Sequence, residues 1–104
     1  MTADAPLAEL ARFTVPAAHP CLAGHFPGEP VVPGVLLLER VLCALGLPPG
    51  QPRELAWVKF QRPLLPDQEA IVRARGADGR WRFEVWCGEA LLASGVVAPA
   101  GRGA

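Results

Sequence analysis

The stretch Gly24–Glu39, GHFPGEPVVPGVLLLE, joins a stiff loop to the beginning of an apolar helix. Six of the eleven residues from Gly24 to Gly34 are glycine or proline. Each proline fixes its own φ and restrains the residue before it, and glycine permits backbone conformations that other residues avoid. A loop of this composition loses little entropy when it is held still, so it is suited to carry a functional side chain. The imidazole in this loop belongs to His25.

An apolar helix is predicted to follow the loop, from about Gly34 to Leu45. Pro33 suits the first turn of a helix, and Gly46 suits its end. One apolar stripe is formed by Val35, Leu38, Leu42 and Leu45, and other apolar residues cover much of the remaining surface. This pattern predicts a helix that is buried on nearly all sides. Glu39 interrupts the apolar run, and a carboxylate in such surroundings needs a partner or a function.

Segments of alternating polarity predict a sheet that wraps this helix. The predicted strands are Arg12–Val15, Glu54–Arg62, Ala70–Arg75, Trp81–Cys87 and Leu91–Ala98. Turns are predicted at Pro63–Asp67, at Asp78-Gly79 and at Gly88-Glu89. In the second strand, alternation puts Leu55 and Trp57 on one face, with Ala56, Val58 and Phe60 on the other.

One central helix and five antiparallel strands predict an α+β fold. A chain of 104 residues is expected to form a single domain, residues 1–104. Residues 1–10 and 99–104 are expected to be loose ends, because neither segment carries a periodic apolar pattern. A core of this size is modest, so assembly with another chain is a natural way to bury more apolar surface.

The loop and helix resemble the signature of the β-hydroxyacyl-acyl-carrier-protein dehydratases of fatty acid synthesis. The matching positions are Gly24-His25-Phe26-Pro27-Gly28, Pro30, Pro33-Gly34 and Glu39. Fourteen positions separate His25 from Glu39, which is the interval of the family. The resemblance extends more weakly to Lys59–Pro63 and Pro66-Asp67, so that it covers the chain from about Phe13 to Val97. It implies the hotdog fold, in which an antiparallel sheet wraps one helix and two chains share a sheet with active sites at their interface.

Dehydration of a β-hydroxyacyl thioester needs a base, an acid and donors for the carbonyl oxygen. Imidazole titrates near neutral pH, and a carboxyl group buried among apolar side chains can have its pKa raised enough to donate a proton. The first N–H groups of a helix can hold a carbonyl oxygen that gains negative charge. By the resemblance, His25 is the base, Glu39 of the partner subunit is the acid, and Gly34 with Val35 binds the carbonyl. Phe26 is counted with the substrate-binding residues and packs to hold the loop.

The resemblance also implies a substrate and partners. The acyl group arrives on the phosphopantetheine arm of an acyl carrier protein and leaves as a trans-2-enoyl thioester, without a metal or an organic cofactor. Glutamate rather than aspartate at position 39 favours dehydration without isomerisation. The second hotdog chain would form a homodimer, a higher oligomer or a heterodimer. Two alternatives stay open: a hotdog thioesterase, in which Glu39 directs water at the carbonyl, and a non-catalytic partner subunit.

Three departures from the common enzymes of the family bear on the pathway. We expect no extra segment before the first predicted strand, Arg40 stands where alanine is frequent, and Cys43 stands where glutamine is frequent. These features resemble the short stand-alone dehydratases of specialised lipid or polyene pathways. We therefore expect a member of that kind rather than an enzyme of ordinary fatty acid synthesis.

The charge of the chain argues against a nucleic acid partner. Ten basic and ten acidic residues give a formal net charge of zero, so there is no overall basic field. Seven basic residues nevertheless fall between Arg53 and Arg82. They form either a solvated sheet face or a docking patch for an acidic carrier protein.

Cysteine usage and hydropathy favour the cytoplasm. The three cysteines have no metal or redox spacing, and His19, Cys21, His25 and Glu39 together fit zinc-site spacing poorly. The N-terminus lacks the pattern of a signal peptide, and the apolar run of the helix is shorter than the roughly 20 residues that span a bilayer. Free thiols in a reducing compartment are the expectation, with no metal and no membrane partner.

Overall fold

One helix and five strands make up the described part of the chain. The computed structural model describes residues 7–19, 31–46, 53–77 and 79–99. Its elements are β1 (Ala8–Thr14), α1 (Gly34–Ala44), β2 (Arg53–Phe60), β3 (Glu69–Ala77), β4 (Arg80–Cys87) and β5 (Ala90–Pro99). All five strands pair antiparallel in one sheet, in the order β1-β3-β4-β5-β2. The predicted α+β architecture is confirmed.

Helix α1 begins and ends where proline and glycine predict. Pro33 precedes its first turn in an extended conformation, with φ −61° and ψ 143°, and no side chain caps the helix. Leu45 follows its last residue, and Gly46 then adopts a φ of 70°. That left-handed conformation favours glycine and ends the helix. The helix is one residue shorter than predicted at its C-terminal end.

The core lies between one face of α1 and the inner face of the sheet. The helix contributes Leu36, Leu37 and Val41, all of which are buried. The sheet contributes small and medium apolar side chains with Phe83 among them, namely Ala70, Val72, Ala74, Phe83, Val85, Ala93 and Val97. Burial of this apolar surface is the main favourable term that holds the helix on the sheet.

The opposite face of α1 is exposed. Val35 has 68% of its surface open to solvent, and Glu39 and Cys43 are also exposed. These three residues are spaced four apart, so they form one stripe along the helix. The prediction of a helix buried on nearly all sides is therefore wrong for this chain by itself. The physical reason is that the sheet packs on one side of the helix and leaves the other side uncovered.

A β-bulge in β2 changes which side chains face the helix. Leu55 pairs with Val97 and Trp57 pairs with Val96, so Ala56 is the extra residue. Leu55 consequently lies on the inner face with Val58 and Phe60, whereas Trp57 lies on the outer face. The predicted placement of Leu55 beside Trp57 is wrong, because simple alternation assumes that no bulge is present.

Strand β1 begins earlier than predicted. Ala8 pairs with Ala74 and Glu9 pairs with Arg73, so residues 8–10 belong to the edge of the sheet rather than to a loose end. Strand β5 likewise extends to Pro99. The predicted turn around Asp67 is confirmed, and this residue has a φ of 67°. Asp78 of the predicted hairpin lies outside the described residues, and Gly79 beside it has a φ of 79°.

Gly95 provides a test of the sheet packing. It lies opposite Val58 and Phe83, and a Cβ atom there would lie 2.6 Å from the carbonyl oxygen of Trp57 and 2.7 Å from Cζ of Phe83. We expect Gly95→Ala to lower the free energy of unfolding by about 2 kcal/mol, because overpacking forces neighbouring atoms apart. Urea unfolding followed by circular dichroism measures the change. Ser94→Ala is the control and should cost less than about 1 kcal/mol. Equal stability of Gly95→Ala and wild type would contradict this packing.

Candidate active site

Two backbone N–H groups at the beginning of α1 have no hydrogen-bond acceptor in the described part of the chain. Among the described residues, the N–H groups of Gly34 and Val35 have no hydrogen-bond acceptor. The N–H groups of Leu36 and Leu37, in contrast, donate to the carbonyl oxygen of Pro33 at 3.1 and 3.2 Å. The positive end of the helix dipole lies at the same place. These N–H groups can therefore donate hydrogen bonds to a carbonyl oxygen or to another electron-rich group.

The segment that enters the helix is held to the segment that leaves β2. The N–H of Val32 donates to the carbonyl oxygen of Leu64 at 2.8 Å. The N–H groups of Gln61 and Arg62 both donate to the carbonyl oxygen of Leu92, at 2.8 and 3.2 Å. These bonds fix the end of β2 beside the beginning of α1, so the two segments form the walls of one cleft.

That cleft encloses about 450 Å³. Its walls are formed by Val32, Gly34, Leu37, Phe60 and the segment 61–64. Arg62 is exposed at this wall and adds a positive charge to otherwise mostly apolar surroundings. A cleft of this size and lining is typical of a small-molecule site.

The ring of Phe60 lies directly against Gly34. A Cβ atom built on Gly34 would lie 3.0 Å from Cζ of Phe60 and 3.2 Å from Cε1. The space that a side chain at position 34 would fill is therefore occupied by the ring. Phe60 keeps 49% of its surface exposed, so the ring also forms part of the open cleft wall.

Glu39 does not face this cleft. The residues that line the cleft do not include it, and its side chain is exposed on the far stripe of the helix. Five helical positions separate Glu39 from Gly34, which corresponds to a rotation of about 140° around the helix axis. A carboxyl group placed in this way is available to a neighbouring chain.

The edge of the sheet formed by β2 carries exposed apolar side chains. Among the described residues, β2 pairs only with β5, so one edge of β2 has no partner strand. Leu55, Trp57 and Phe60 of this strand are all more than 40% exposed. An unpaired strand edge with exposed apolar side chains is suited to bind a second chain.

A smaller cavity of about 150 Å³ lies farther along the helix. It is lined by Leu38, Val41, Leu42, Glu54, Leu55 and Val97. Leu55 reaches this cavity because of the bulge at Ala56. The two cavities lie on the same side of α1, toward β2, so an apolar chain could run between the helix and this strand.

Three of the five predicted site residues lie in the described part of the chain. Gly34 and Val35 lie together at the beginning of α1, as predicted, and Glu39 lies on the exposed stripe of the same helix. His25 and Phe26 lie outside the described residues. Phe60 was not predicted as a site residue, although it lies in the segment Lys59–Pro63 that resembles the family. Its contact with Gly34 is tertiary and could not be inferred from spacing.

The part of the chain that the structure describes contains neither a cluster of metal-ligating side chains nor a membrane-spanning helix. Within residues 7–19, 31–46, 53–77 and 79–99, no group of three or more His, Cys, Asp or Glu side chains could hold a metal ion. Cys21 and His25 of the metal set considered above are not among those residues. In the same part of the chain, no helix is long and apolar enough to cross a membrane.

Two of the clustered basic residues stack on tryptophan. The guanidinium of Arg82 lies 5.4 Å from the ring centroid of Trp57, and that of Arg73 lies 5.5 Å from the ring centroid of Trp86. Arg82 also lies 3.5 Å from a carboxylate oxygen of Glu84. Such contacts are typical of a solvated sheet face. Docking of an acidic partner on this face remains a prediction.

One helix packed on a five-stranded antiparallel sheet is the layout of the hotdog fold. The family described as ApeI-like, ApeI dehydratase, matches residues 6–96. The chain belongs to this family of dehydratases.

Comparison with individual proteins agrees with this assignment. The chain is 39% identical to the 3-hydroxyacyl-[acyl-carrier-protein] dehydratase FabZ of Haemophilus influenzae strain Rd, over 48% of this chain and 41% of that enzyme. It is 34% identical to FabZ of Histophilus somni strain 2336, over 52% of this chain and 43% of that enzyme. The chain thus spans less than half the length of these relatives.

Solved structures show the same fold. The dehydratase heterocomplex ApeI:P from Xenorhabdus doucetiae superimposes with a TM-score of 0.72 at 20% identity, covering 88% of this chain and 96% of that one. A probable thioesterase from Bartonella henselae superimposes with a TM-score of 0.60 at 17% identity, covering 90% of each chain. At these identities the likeness concerns the fold alone.

The contact between Gly34 and Phe60 predicts energetic coupling. We expect Gly34→Ala to be more favourable in a Phe60→Ala background than in wild type by roughly 0.5 kcal/mol or more, because the ring no longer has to move. Chemical denaturation of the four variants of this double-mutant cycle measures the coupling. In a Trp57→Ala background the coupling should be absent, since Trp57 lies on the opposite face of the sheet. Strict additivity of Gly34→Ala and Phe60→Ala would refute the contact.

Proposed function

We propose that the chain dehydrates 3-hydroxyacyl thioesters, carried by an acyl carrier protein, to trans-2-enoyl thioesters. The observation that carries the proposal is that Gly34, which lines an apolar cleft, and the adjacent Val35 have N–H groups without an acceptor among the described residues, in a chain of the dehydratase family. These donors would hold the thioester carbonyl oxygen and stabilise the negative charge that develops on it. The reaction is expected to take place in the cytoplasm.

The proposed chemistry uses one base and one acid. His25 removes a proton from carbon 2, and Glu39 gives a proton to the hydroxyl group on carbon 3. The carbon–oxygen bond breaks, a double bond forms between carbons 2 and 3, and one water molecule leaves. The imidazolium and the carboxylate then exchange their proton through solvent, which restores both groups. No redox step occurs, so no oxidant or reductant is required.

The proposed active unit contains two hotdog chains. Glu39 faces away from the cleft of its own chain, so we assign it to the cleft of a neighbouring chain. The exposed stripe of α1 and the free edge of β2 would provide the interface. The partner is a second copy or another hotdog chain.

Mass spectrometry of the acyl carrier protein tests the reaction directly. Wild type should remove one water from a 3-hydroxyacyl carrier protein. His25→Ala and Glu39→Gln should each slow this loss by roughly 100-fold or more, because each removes one proton-transferring group. Glu89→Gln is the matched control, since Glu89 is an exposed carboxylate in a turn. Hydrolysis to the free acid would instead indicate a thioesterase, and an unchanged substrate would contradict activity of the chain alone.

Co-expression of two inactive variants tests whether the site is shared between chains. A mixed dimer of His25→Ala and Glu39→Gln contains one site in which both residues are intact. Random pairing should therefore recover about a quarter of wild-type activity, since half of the dimers are mixed and each has one complete site. Two differently tagged His25→Ala chains are the control and should stay inactive. No recovery in purified mixed dimers would mean that His25 and Glu39 of the same chain act together.

A further inference from the structure

The position of Phe60 is set by the bulge and by the edge of the sheet. Phe60 is the last residue of β2 and pairs with Ala93, which is fully buried on the inner face. On this inner face, the ring lies against the beginning of α1. The hydrogen bonds of Gln61 and Arg62 to the carbonyl oxygen of Leu92 fix the backbone immediately after it. The backbone that carries the ring is thus restrained, which holds the ring beside Gly34.

The ring lies next to the two unused donors. Its tip contacts the Cβ position of Gly34, and the N and Cα atoms of one residue are only about 1.5 Å apart. An oxygen that accepts a hydrogen bond from the Gly34 N–H lies about 2.9 Å from that nitrogen. A thioester oxygen bound to the Gly34 N–H would lie at the end of the helix that the ring contacts, so the first carbons of the substrate can reach the ring. Phe60 and the reacting part of the substrate would share one wall of the cleft.

The exposed state of Phe60 is consistent with contact to a ligand. About half of its surface, 49%, is open to solvent, although a phenylalanine in a core of this kind would be covered. Phe83 on the neighbouring part of the inner face is fully buried. Phe60 therefore does not serve the core as Phe83 does, and its free ring face borders the cleft.

We propose that Phe60 is a specificity-determining residue whose ring limits the bulk that the substrate carries on carbon 2. The inference rests on the proposed function, since it assumes that Gly34 and Val35 hold the thioester carbonyl. An unbranched 3-hydroxyacyl group has two hydrogens on carbon 2 and passes beside the ring. A 2-methyl-3-hydroxyacyl group directs a methyl group into the space that the ring occupies. It keeps one hydrogen on carbon 2, so its dehydration is chemically allowed and only its fit is impaired.

The test compares two substrates in one enzyme. Unbranched and 2-methyl-branched 3-hydroxyacyl pantetheine thioesters of equal chain length are the probes, and kcat/KM is measured for each from the formation of the enoyl product. Wild type should prefer the unbranched probe. In Phe60→Ala, the ratio of branched to unbranched kcat/KM should rise by about tenfold or more, which is the range in which a pocket discriminates by one methyl group. Phe60→Leu should raise it less.

Trp57→Ala is the matched control. Trp57 is an equally large aromatic residue on the same strand, is 42% exposed, and lies on the outer face of the sheet. Its removal should leave the substrate ratio within about twofold of wild type. Because loss of folding or assembly slows both probes together, the ratio separates specificity from structural damage. Phe60→Leu keeps apolar bulk and provides the ratio if Phe60→Ala does not fold.

The outcomes separate this inference from the proposed function. Wild type that dehydrates neither probe overturns the proposed function and the inference with it. Wild type that dehydrates the unbranched probe, together with an unchanged ratio in Phe60→Ala and Phe60→Leu, overturns only the role of Phe60. An equal rise of the ratio in Trp57→Ala also overturns it, because the effect would then not come from the ring beside Gly34.

Discussion

The packing of one apolar helix on one small sheet is the constraint on which the rest of the structure depends. A helix with apolar residues on several faces must be covered, and the sheet of this chain covers only the face that carries Leu36, Leu37 and Val41. The stripe with Val35 and Glu39 is left to solvent. The same arrangement divides the proposed chemistry, because Gly34 lines the chain's own cleft whereas Glu39 lies on the exposed stripe. Incomplete burial of the helix and the proposed sharing of the active site thus follow from one packing geometry.

Local irregularities place the side chains that this geometry uses. The extra residue Ala56 in β2 turns Leu55 and Phe60 to the same face, so that one lines the smaller cavity and the other lines the cleft. The hydrogen bond from Val32 to Leu64 then brings the beginning of α1 to the end of β2. The bulge in β2 and one backbone hydrogen bond between the connecting segments therefore decide which residues meet at the candidate site.

Much of this fold could be predicted from the sequence, because proline and glycine mark the ends of its elements and alternating polarity marks its strands. Pro33 and Gly46 mark the ends of the helix, and the strands follow alternating segments. The bulge at Ala56 could not be predicted, since alternation contains no sign of an inserted residue. Apolar periodicity also predicts that a helix is buried, but it does not identify the surface that covers it. The pairing of His25 with Glu39 comes from the resemblance, and its geometry involves residues outside the described part of the chain.

The free edge of β2 exposes the chain to aggregation before a partner binds. Its backbone N–H and carbonyl groups can pair with any extended segment. The exposed side chains of Leu55, Trp57 and Phe60 add apolar surface that favours such association. In a newly made chain with this surface, aggregation competes with correct pairing, and the rate of aggregation rises with the concentration of the chain. The yield of folded protein should then fall when a partner chain is too scarce to cover this edge. The amount of available partner would limit the amount of assembled protein as strongly as the stability of the single domain.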